Sequence, residues 1–590
     1  AGERENSHWQ RSGENFGNFR KYALLRLGKD NGTIRRYMEV HDRDPLKIER
    51  MNTKFKELQS DCPGGYIVGS WGHGARLSSY PAAYRKAHPD PKKLYEKYSR
   101  EIGEAGMFTA AYPWLQELGG IPAVRRNFER YGTKTWYCAN SSWHRAEVIK
   151  RGTAQYFKAE AGNTRNVDSI DPAYRQLIRD VAGDAIRRDG KALKGLLELV
   201  LVYDEPMGYA TFANFSRTAN PESRALDAVD QEIREKFGAG KYGLFDFAGP
   251  RPPDRRAAER SRIATVRWWN GRAAQEAAKD FEFFHKILPG VPVMTYNFCY
   301  MYGLNYIDVP QLTRFTDITS SDPYPTATLS HFGKERALYH TGFATKYLKE
   351  LSKKPVATMP QGFIYCGMEP TPERIREWAA QALKNGAEML FWYTAGPFRY
   401  TCPDAYREML RVNGLARRMN RLKLPKKTST AIFVSYPSMI ADQDTGQHAW
   451  YTLYTMMGER LKRNFSFLAD SSLAQGTDTL DNYRLLFVTR AHYADRDTAA
   501  KLADYVENGG TLVVFDPDFL RYAPDDADLS PYRRKLIGEG TGRPVSASFI
   551  TVVNRAFGLS HGTLLPLMPL NHVDNEFSGK ILARTLSVPD

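Results

Sequence analysis

Cysteine is scarce in this 590-residue chain. There are five, Cys62, Cys138, Cys299, Cys366 and Cys402, and none has CxxC spacing. That argues against a disulfide scaffold and a cysteine-rich zinc centre, and an odd number leaves at least one thiol unpaired within a monomer. Long apolar runs are also missing: no window of eighteen apolar residues exists, so no membrane span is expected. The opening residues, Ala1 to His8, are polar and carry no signal-peptide core. A soluble protein is expected, its compartment open between cytoplasmic and periplasmic or secreted. Several motifs are absent as well. Without GxGxxG opening a helix or a Walker sequence, no nucleotide cofactor is expected. Without HExxH or another short-spaced ligand set, no metal is expected; without GxSxG, a serine hydrolase is disfavoured.

The composition is that of a folded protein, 42% hydrophobic and 13% aromatic, with ten tryptophans and 34 tyrosines. Lys and Arg exceed Asp and Glu by 83 to 67, a formal charge of +16. Such an excess attracts polyanions. No RNP-like, zinc-finger or helix-turn-helix pattern accompanies it, so nucleic acid is not expected as a partner. A solvated basic surface explains the charge, and a sulfated or uronic polysaccharide is the alternative.

Length alone predicts several domains. Residues 1–60 are polar and read as an extension. Over 61–424, short apolar segments alternate with helical ones. Strands are predicted at 66–70, 107–112, 133–139, 199–203, 292–298, 317–321, 355–359 and 388–393. Helices are predicted at 90–105, 172–189, 222–237, 258–287 and 372–385. Asp171-Pro172 is good helix-start chemistry, because Asp accepts free amides and Pro occupies the first turn without losing a bond. Eight strand-then-helix repeats predict an α/β fold, a (β/α)8 TIM barrel. Residues 425–540 read as a smaller α/β domain with strands at 430–436, 485–489 and 511–515, and 541–590 as a short β-rich region.

One segment carries the sharpest functional signal. Leu201-Val202-Tyr203-Asp204-Glu205-Pro206 is an apolar run stopped by two carboxylates and a proline. A carboxylate at the C-terminal tip of a barrel strand sits where such folds place their chemistry, so Glu205 is the first candidate for a proton-transferring acid. The other strand ends are rich in aromatic and hydrogen-bonding residues. Trp71 and His73 follow the first strand, with Arg76 close behind, and Trp114 follows the second. Trp143, His144 and Arg145 follow the third. Tyr296 and Asn297 end the fifth, Asp322 and Tyr324 the sixth, Gln361 the seventh and Trp392 the eighth, with Arg399 beyond it. Flat apolar faces ringed by directional donors and acceptors are what sugars require.

These strand ends resemble the family 42 glycoside hydrolases, the β-galactosidase-like barrel enzymes. Tyr203-Asp204-Glu205-Pro206 resembles the family's Asn-Glu pair, whose glutamate is the general acid/base. Thr295-Tyr296-Asn297-Phe298 is similar to its fifth-strand element. Asp317 to Pro325 is similar to its Asp-x-x-Ser-x-Asp-x-Tyr-Pro element, and Gly386 to Tyr393 to its eighth-strand run. The resemblance implies a retaining glycosidase acting on an oligo- or polysaccharide, galactose-containing if the analogy holds. It also implies that 425–540 is a trimerisation-like domain of amidotransferase type, and hence a homo-oligomer, trimer or dimer.

Two departures stand out. The seventh strand, where the family carries its nucleophilic glutamate, reads Ala357-Thr358-Met359-Pro360-Gln361-Gly362, and the asparagine before the acid/base is Asp204. Three repairs are open. Asp322 could serve as the base of an inverting enzyme, at a carboxyl separation of about 6.5–9.5 Å. Glu369, or less directly Asp246, could fold in as a replacement. Or hydrolysis is lost and sugar binding retained. A polysaccharide lyase on the same barrel is the other enzymatic alternative. Asp204, with its side chain expected opposite to that of Glu205, reads as a residue orienting the strand tip or contacting substrate.

Overall fold

The structure is a computed structural model, and it describes most residues between 65 and 537 together with three later strands. Outside the described residues lie 1–64, 72–85, 113–119, 141–170, 206–217, 219–223, 299–305, 326–338, and shorter breaks. The predicted N-terminal extension falls there.

Eight parallel strands form the first unit: β1 (Ile67–Ser70), β2 (Ala111–Tyr112), β3 (Thr135–Cys138), β4 (Leu197–Asp204), β5 (Val293–Phe298), β6 (Thr319–Ser321), β7 (Val356–Thr358) and β8 (Ala387–Trp392). Their order is β1-β8-β7-β6-β5-β4-β3-β2. Phe108, just before β2, closes the ring. Its N–H donates to Val68 O at 3.0 Å and its carbonyl accepts from Ser70 N at 2.9 Å. The predicted barrel is therefore present, with each strand within a few residues of its expected place.

The strands read as nearly continuous apolar runs because both faces are covered. On β4, Leu199 and Leu201 meet Trp136, Met294, Met359 and Phe391 inside the barrel, while Leu197, Val200 and Val202 join the helical layer. Close approach explains two glycines. A Cβ at Gly69 would lie 2.2 Å from the Phe108 ring, and one at Gly65 only 1.6 Å from the Arg417 carbonyl.

Among the helices of the barrel are α1 (Pro172–Leu193), α2 (Arg255–Ile287), α3 (His340–Ser352), α4 (Pro372–Lys384) and α5 (Pro403–Arg418). Asp171 caps α1 by accepting from Tyr174 N at 2.9 Å, with Pro172 in the first turn. Asp254 caps α2 and Thr371 caps α4 in the same way.

The second unit is a parallel sheet of β9 (Thr430–Val434), β10 (Ser466–Ala469), β11 (Leu485–Val488) and β12 (Thr511–Val514), ordered β10-β9-β11-β12. The strand β10 is not among those expected from sequence. Between β9 and β10, the helix Gly446–Tyr454 widens into a π-helical turn, Thr455–Arg460, where Leu461 N donates to Met456 O at 2.9 Å. This unit docks on the barrel through an apolar seam, where Phe343 and Tyr347 pack on Trp450, Tyr451 and Phe467, and through polar bonds. Val309 N donates to Tyr436 Oη at 2.8 Å, Ser471 Oγ to Asp308 at 2.9 Å, and Arg267 pairs with Asp495 at 2.7 Å. Glu459, on the π turn, takes Lys384 of α4 and the Tyr454 hydroxyl. The last residues form an antiparallel sheet of three strands, Gly542–Val552, Leu564–Asn575 and Ala583–Leu586. Among the described residues no helix is long and apolar enough to cross a membrane.

Candidate active site

The strand β4 delivers Asp204 and Glu205 to the carboxyl end of the barrel. Glu205 prolongs the ladder by one step, its N–H donating to Asn297 O at 2.9 Å. Its φ is +47°, a left-handed conformation that non-glycine residues seldom adopt, because Cβ crowds the backbone. Strain of this kind persists only where surroundings enforce it. Across β5, Asp322 holds the matching position past β6, its N–H donating to Phe298 O at 3.1 Å.

The two side chains meet. Asp322 is 1% exposed. Burial pushes its carboxyl well above the ordinary carboxylate range, and the charge of Glu205, a hydrogen bond to Glu205 and the charge of Asp204 push it further. The Tyr324 hydroxyl opposes this by bonding the ionised form. Two carboxyls in hydrogen-bond contact cannot both ionise cheaply, and the buried one, Asp322, is the member that keeps its proton. Glu205 is half-buried and Asp322 buried, which makes Glu205 the member that reaches a ligand.

Asp204 belongs to the same group, contrary to strand alternation. Its charge bears on both Asp322 and Tyr324, as does that of Glu205. Asn297 Nδ2 donates to Asp204 at 3.0 Å, and Asn297 Oδ1 accepts from Ser320 Oγ at 2.7 Å. Both ends of the Asn297 amide are thus fixed. Burial also raises the Tyr324 phenol far above its usual range, with the Asp322 charge adding to the effect, so it stays a neutral hydroxyl.

An aromatic cluster adjoins the carboxyls. Tyr324 packs edge-on to Phe363 with ring centres 5.1 Å apart, and lies 5.9 Å from Tyr365 and 5.7 Å from Tyr393. Trp71 continues it, 5.6 Å from Tyr393 and 4.5 Å from Trp136. Gln361, fully buried, donates to Phe363 O at 2.8 Å. Phe363, Tyr365 and Tyr393 are not among the site residues expected from sequence. Phe363 and Tyr393 lie beside chosen positions, and the aromatic run Phe363 to Tyr365 is the signal that could have found them.

Several expectations are corrected. Tyr296 does not face the site: its hydroxyl donates to Ala273 O of α2 at 2.8 Å and accepts from Arg175 at 2.8 Å. Trp392 is fully buried and donates to Asn413 of α5 at 2.9 Å. Arg399 is tied to Glu101 at 2.6 Å, a structural ion pair. Glu369 is exposed beside Cys402, and its backbone carbonyl accepts from Arg374 at 3.0 Å; none of its described contacts joins the carboxyl pair. Asp246 organises its own loop, accepting from Thr218 at 2.8 Å and from Gly249 N at 3.0 Å. Asp322 interacts with Glu205 by charge and hydrogen bonding, both of which raise its carboxyl. His73, Arg76, Trp114, Trp143, His144 and Arg145 lie outside the described residues. A groove of 390 Å³ lined by Glu232, Trp268 and Arg272 lies on the outer helices, remote from the strand ends, and its Arg272 and Glu232 pair with each other at 2.9 Å.

The buried acid gives a pH signature. A carboxyl held protonated in the fold favours the folded state most below its unfolded value, near 3.8, and that contribution is lost as pH rises through the higher folded value. The Asp322→Asn variant should therefore show a flatter decline of unfolding free energy between pH 4 and pH 8. A tenfold difference in proton affinity between the folded and unfolded states is worth about 1.4 kcal/mol. Urea titrations across that range check this; an unchanged slope would mean that Asp322 ionises freely.

No protein-family model matches the sequence, and no curated protein sequence matches it. Solved structures do match in fold. The β-galactosidase of the psychrophilic Marinomonas ef1 superposes with a TM-score of 0.60 at 12% identity, covering 88% of this chain and 86% of that one. A catalytic mutant of Gan42B, a GH42 β-galactosidase from G. stearothermophilus, gives 0.59 at 13%, covering 88% and 83%. The β-galactosidase of Bacillus circulans sp. alkalophilus gives 0.58 at 13%, covering 89% and 83%. The likeness extends over the barrel and the second unit, and at these identities it is a likeness of fold.

Proposed function

We propose that the chain is a glycoside hydrolase that cleaves O-glycosidic bonds in an oligo- or polysaccharide, with Glu205 as the proton donor. The observation that carries this is the Glu205–Asp322 carboxyl pair, one member buried and one within reach, at the carboxyl ends of β4 and β6. A reachable carboxyl backed by a buried protonated one, beside an aromatic wall, suits proton delivery to a glycosidic oxygen. The fold held in common with β-galactosidases supports the same conclusion. The +16 charge is compatible with an anionic chain, and the second unit with self-association.

The absence of a carboxylate on Met359-Pro360-Gln361 favours one competing reading, a barrel that binds sugar without cleaving it. Wild type and Glu205→Gln should be incubated with neutral, acetamido, uronic and sulfated glycans, and new reducing ends measured. Release by wild type alone supports hydrolysis through Glu205. Binding without release by either protein supports the non-catalytic reading, and unsaturated uronic ends would indicate a lyase instead.

A further inference from the structure

Among the described residues the site holds an acid without a carboxylate at the end of β7, and that mismatch restricts the substrate. Retaining hydrolysis needs an electron pair to attack the anomeric carbon opposite the leaving oxygen, normally from a second carboxylate about 5–5.5 Å from the acid. At the end of β7, Thr358 Oγ1 is bonded to Thr345 Oγ1 at 2.8 Å and Met359 lies in the barrel core. Pro360 offers no reactive group, and Gln361 is an amide committed to Phe363 O at 2.8 Å. The Tyr324 hydroxyl approaches Met359 Sδ at 3.9 Å, so this wall is apolar and aromatic where a charged nucleophile would need donors. Asp322 cannot replace it, because it is buried against Glu205.

The same strand end supplies a different second carboxylate. The left-handed turn at Glu205 breaks alternation, so that the charges of both Asp204 and Glu205 bear on Asp322. Asn297, locked by Ser320, fixes the direction of Asp204 by donating to one of its carboxyl oxygens. An oriented carboxyl next to the acid, with an apolar surface at the end of β7 where a nucleophile would stand, fits a substrate that carries its own nucleophile and an N–H to be held.

We propose, on the basis of the hydrolase function above, that the substrate is a 1,2-trans 2-acetamido-2-deoxyhexoside whose acetamido oxygen performs the displacement, oriented by Asp204 and assisted by Glu205. In the first step the acetamido carbonyl oxygen bonds to C1 as the C1–O bond to the leaving group breaks. The Glu205 proton passes to the departing oxygen, and Asp204 accepts a hydrogen bond from the acetamido N–H, stabilising the positive charge that develops on the ring so formed. In the second step water attacks C1, its proton goes to the Glu205 carboxylate, and the C1–O bond to the acetamido oxygen breaks, restoring the acetamido group. The net change is the addition of one water with retained configuration. Exceptions of this substrate-assisted kind are established among glycosidases in general.

The test uses the full chain with 4-nitrophenyl β-glycosides of N-acetylglucosamine and N-acetylgalactosamine, and the matching glucosides and galactosides. Only the acetamido sugars should turn over. Replacing acetyl by trifluoroacetyl weakens the attacking oxygen and should lower kcat at least about tenfold. The corresponding thiazoline should inhibit competitively, and Asp204→Asn should lose about 10²–10³-fold on the acetamido substrates. Cleavage of 2-hydroxy sugars at equal rates by wild type, with Glu205→Gln releasing no reducing ends from the glycan panel, would overturn the substrate assignment and leave the hydrolase function standing. Failure of every glycoside and of the glycan panel would remove both. The fluorine series is read on wild type, so the outcome does not depend on whether Asp204→Asn folds.

Discussion

Glu205→Gln should lower kcat by about 10²–10⁴ on glycosides with poor leaving groups, the usual worth of a positioned acid. Affinity should stay within a few-fold, because the change is isosteric and the acid's work is done in the transition state. Aryl glycosides that leave readily need less proton assistance, so their loss should be much smaller. That difference separates a lost acid from a disturbed fold. Backbone strain adds a second signature. A non-glycine residue at φ +47° costs roughly 1–2 kcal/mol, so Glu205→Gly should equal or exceed wild type in stability while losing activity. Urea unfolding beside kinetics on both leaving groups would decide it. Equal losses on both, or a destabilised glycine variant, would count against Glu205 as a strained catalytic acid.

Asp280→Ala should destabilise the barrel by about 3–5 kcal/mol, the penalty for stranding buried charge. Asp280 of α2 is 1% exposed and faces two guanidiniums of α1. Arg175, fully buried, contacts it directly, and Arg179 lies 2.6 Å away. Burial pushes the Asp280 carboxyl up and the two cations oppose that, and two cations on one carboxylate favour the charged form. Arg175 also lies 4.2 Å over the Tyr203 ring and donates to the Tyr296 hydroxyl at 2.8 Å. Tyr203 and Tyr296 precede Asp204 and Asn297 in the chain, so this network seats the two strand tips. The variant should therefore lose kcat as well as stability. Arg175→Met with Asp280→Leu should recover part of the stability, since apolar replacements of a buried pair are often tolerated, and Arg179 keeps Glu276 at 3.3 Å. A loss below about 1 kcal/mol for Asp280→Ala would mean that water reaches the network.

The barrel is legible in the sequence because its signal is local. Apolar runs of four to eight residues, capped helices and repeated order are all visible there. Short β10 escapes such a reading because Ser466 to Ala469 follows a basic stretch and has no turn signal before it. The acid Glu205 is legible from an apolar run ending in a carboxylate. Its contact with Asp322, far along the chain, depends on strand register and is not. Tyr296 and Trp392 mislead because position at a strand end does not say which face a side chain takes, and each is tied into the helical layer. Asp204 misleads for the opposite reason: alternation is a rule of extended backbone, and the left-handed residue after it ends the rule.

The π-helical turn at Thr455–Arg460 has a consequence for how such chains diverge. A wide turn is what an α-helix becomes when it absorbs one extra residue without rotating the chain beyond it. It lies beside the seam between the two units, where Glu459 meets Lys384 and the Tyr454 hydroxyl meets Asn385. Deleting one residue there should restore an α-turn and leave the chain on either side in register, so that only the side chains on the turn itself, Glu459 among them, change their contacts. A chain one codon shorter at this point should therefore keep the docking of its second unit, so the seam tolerates a change of length that a regular helix would not.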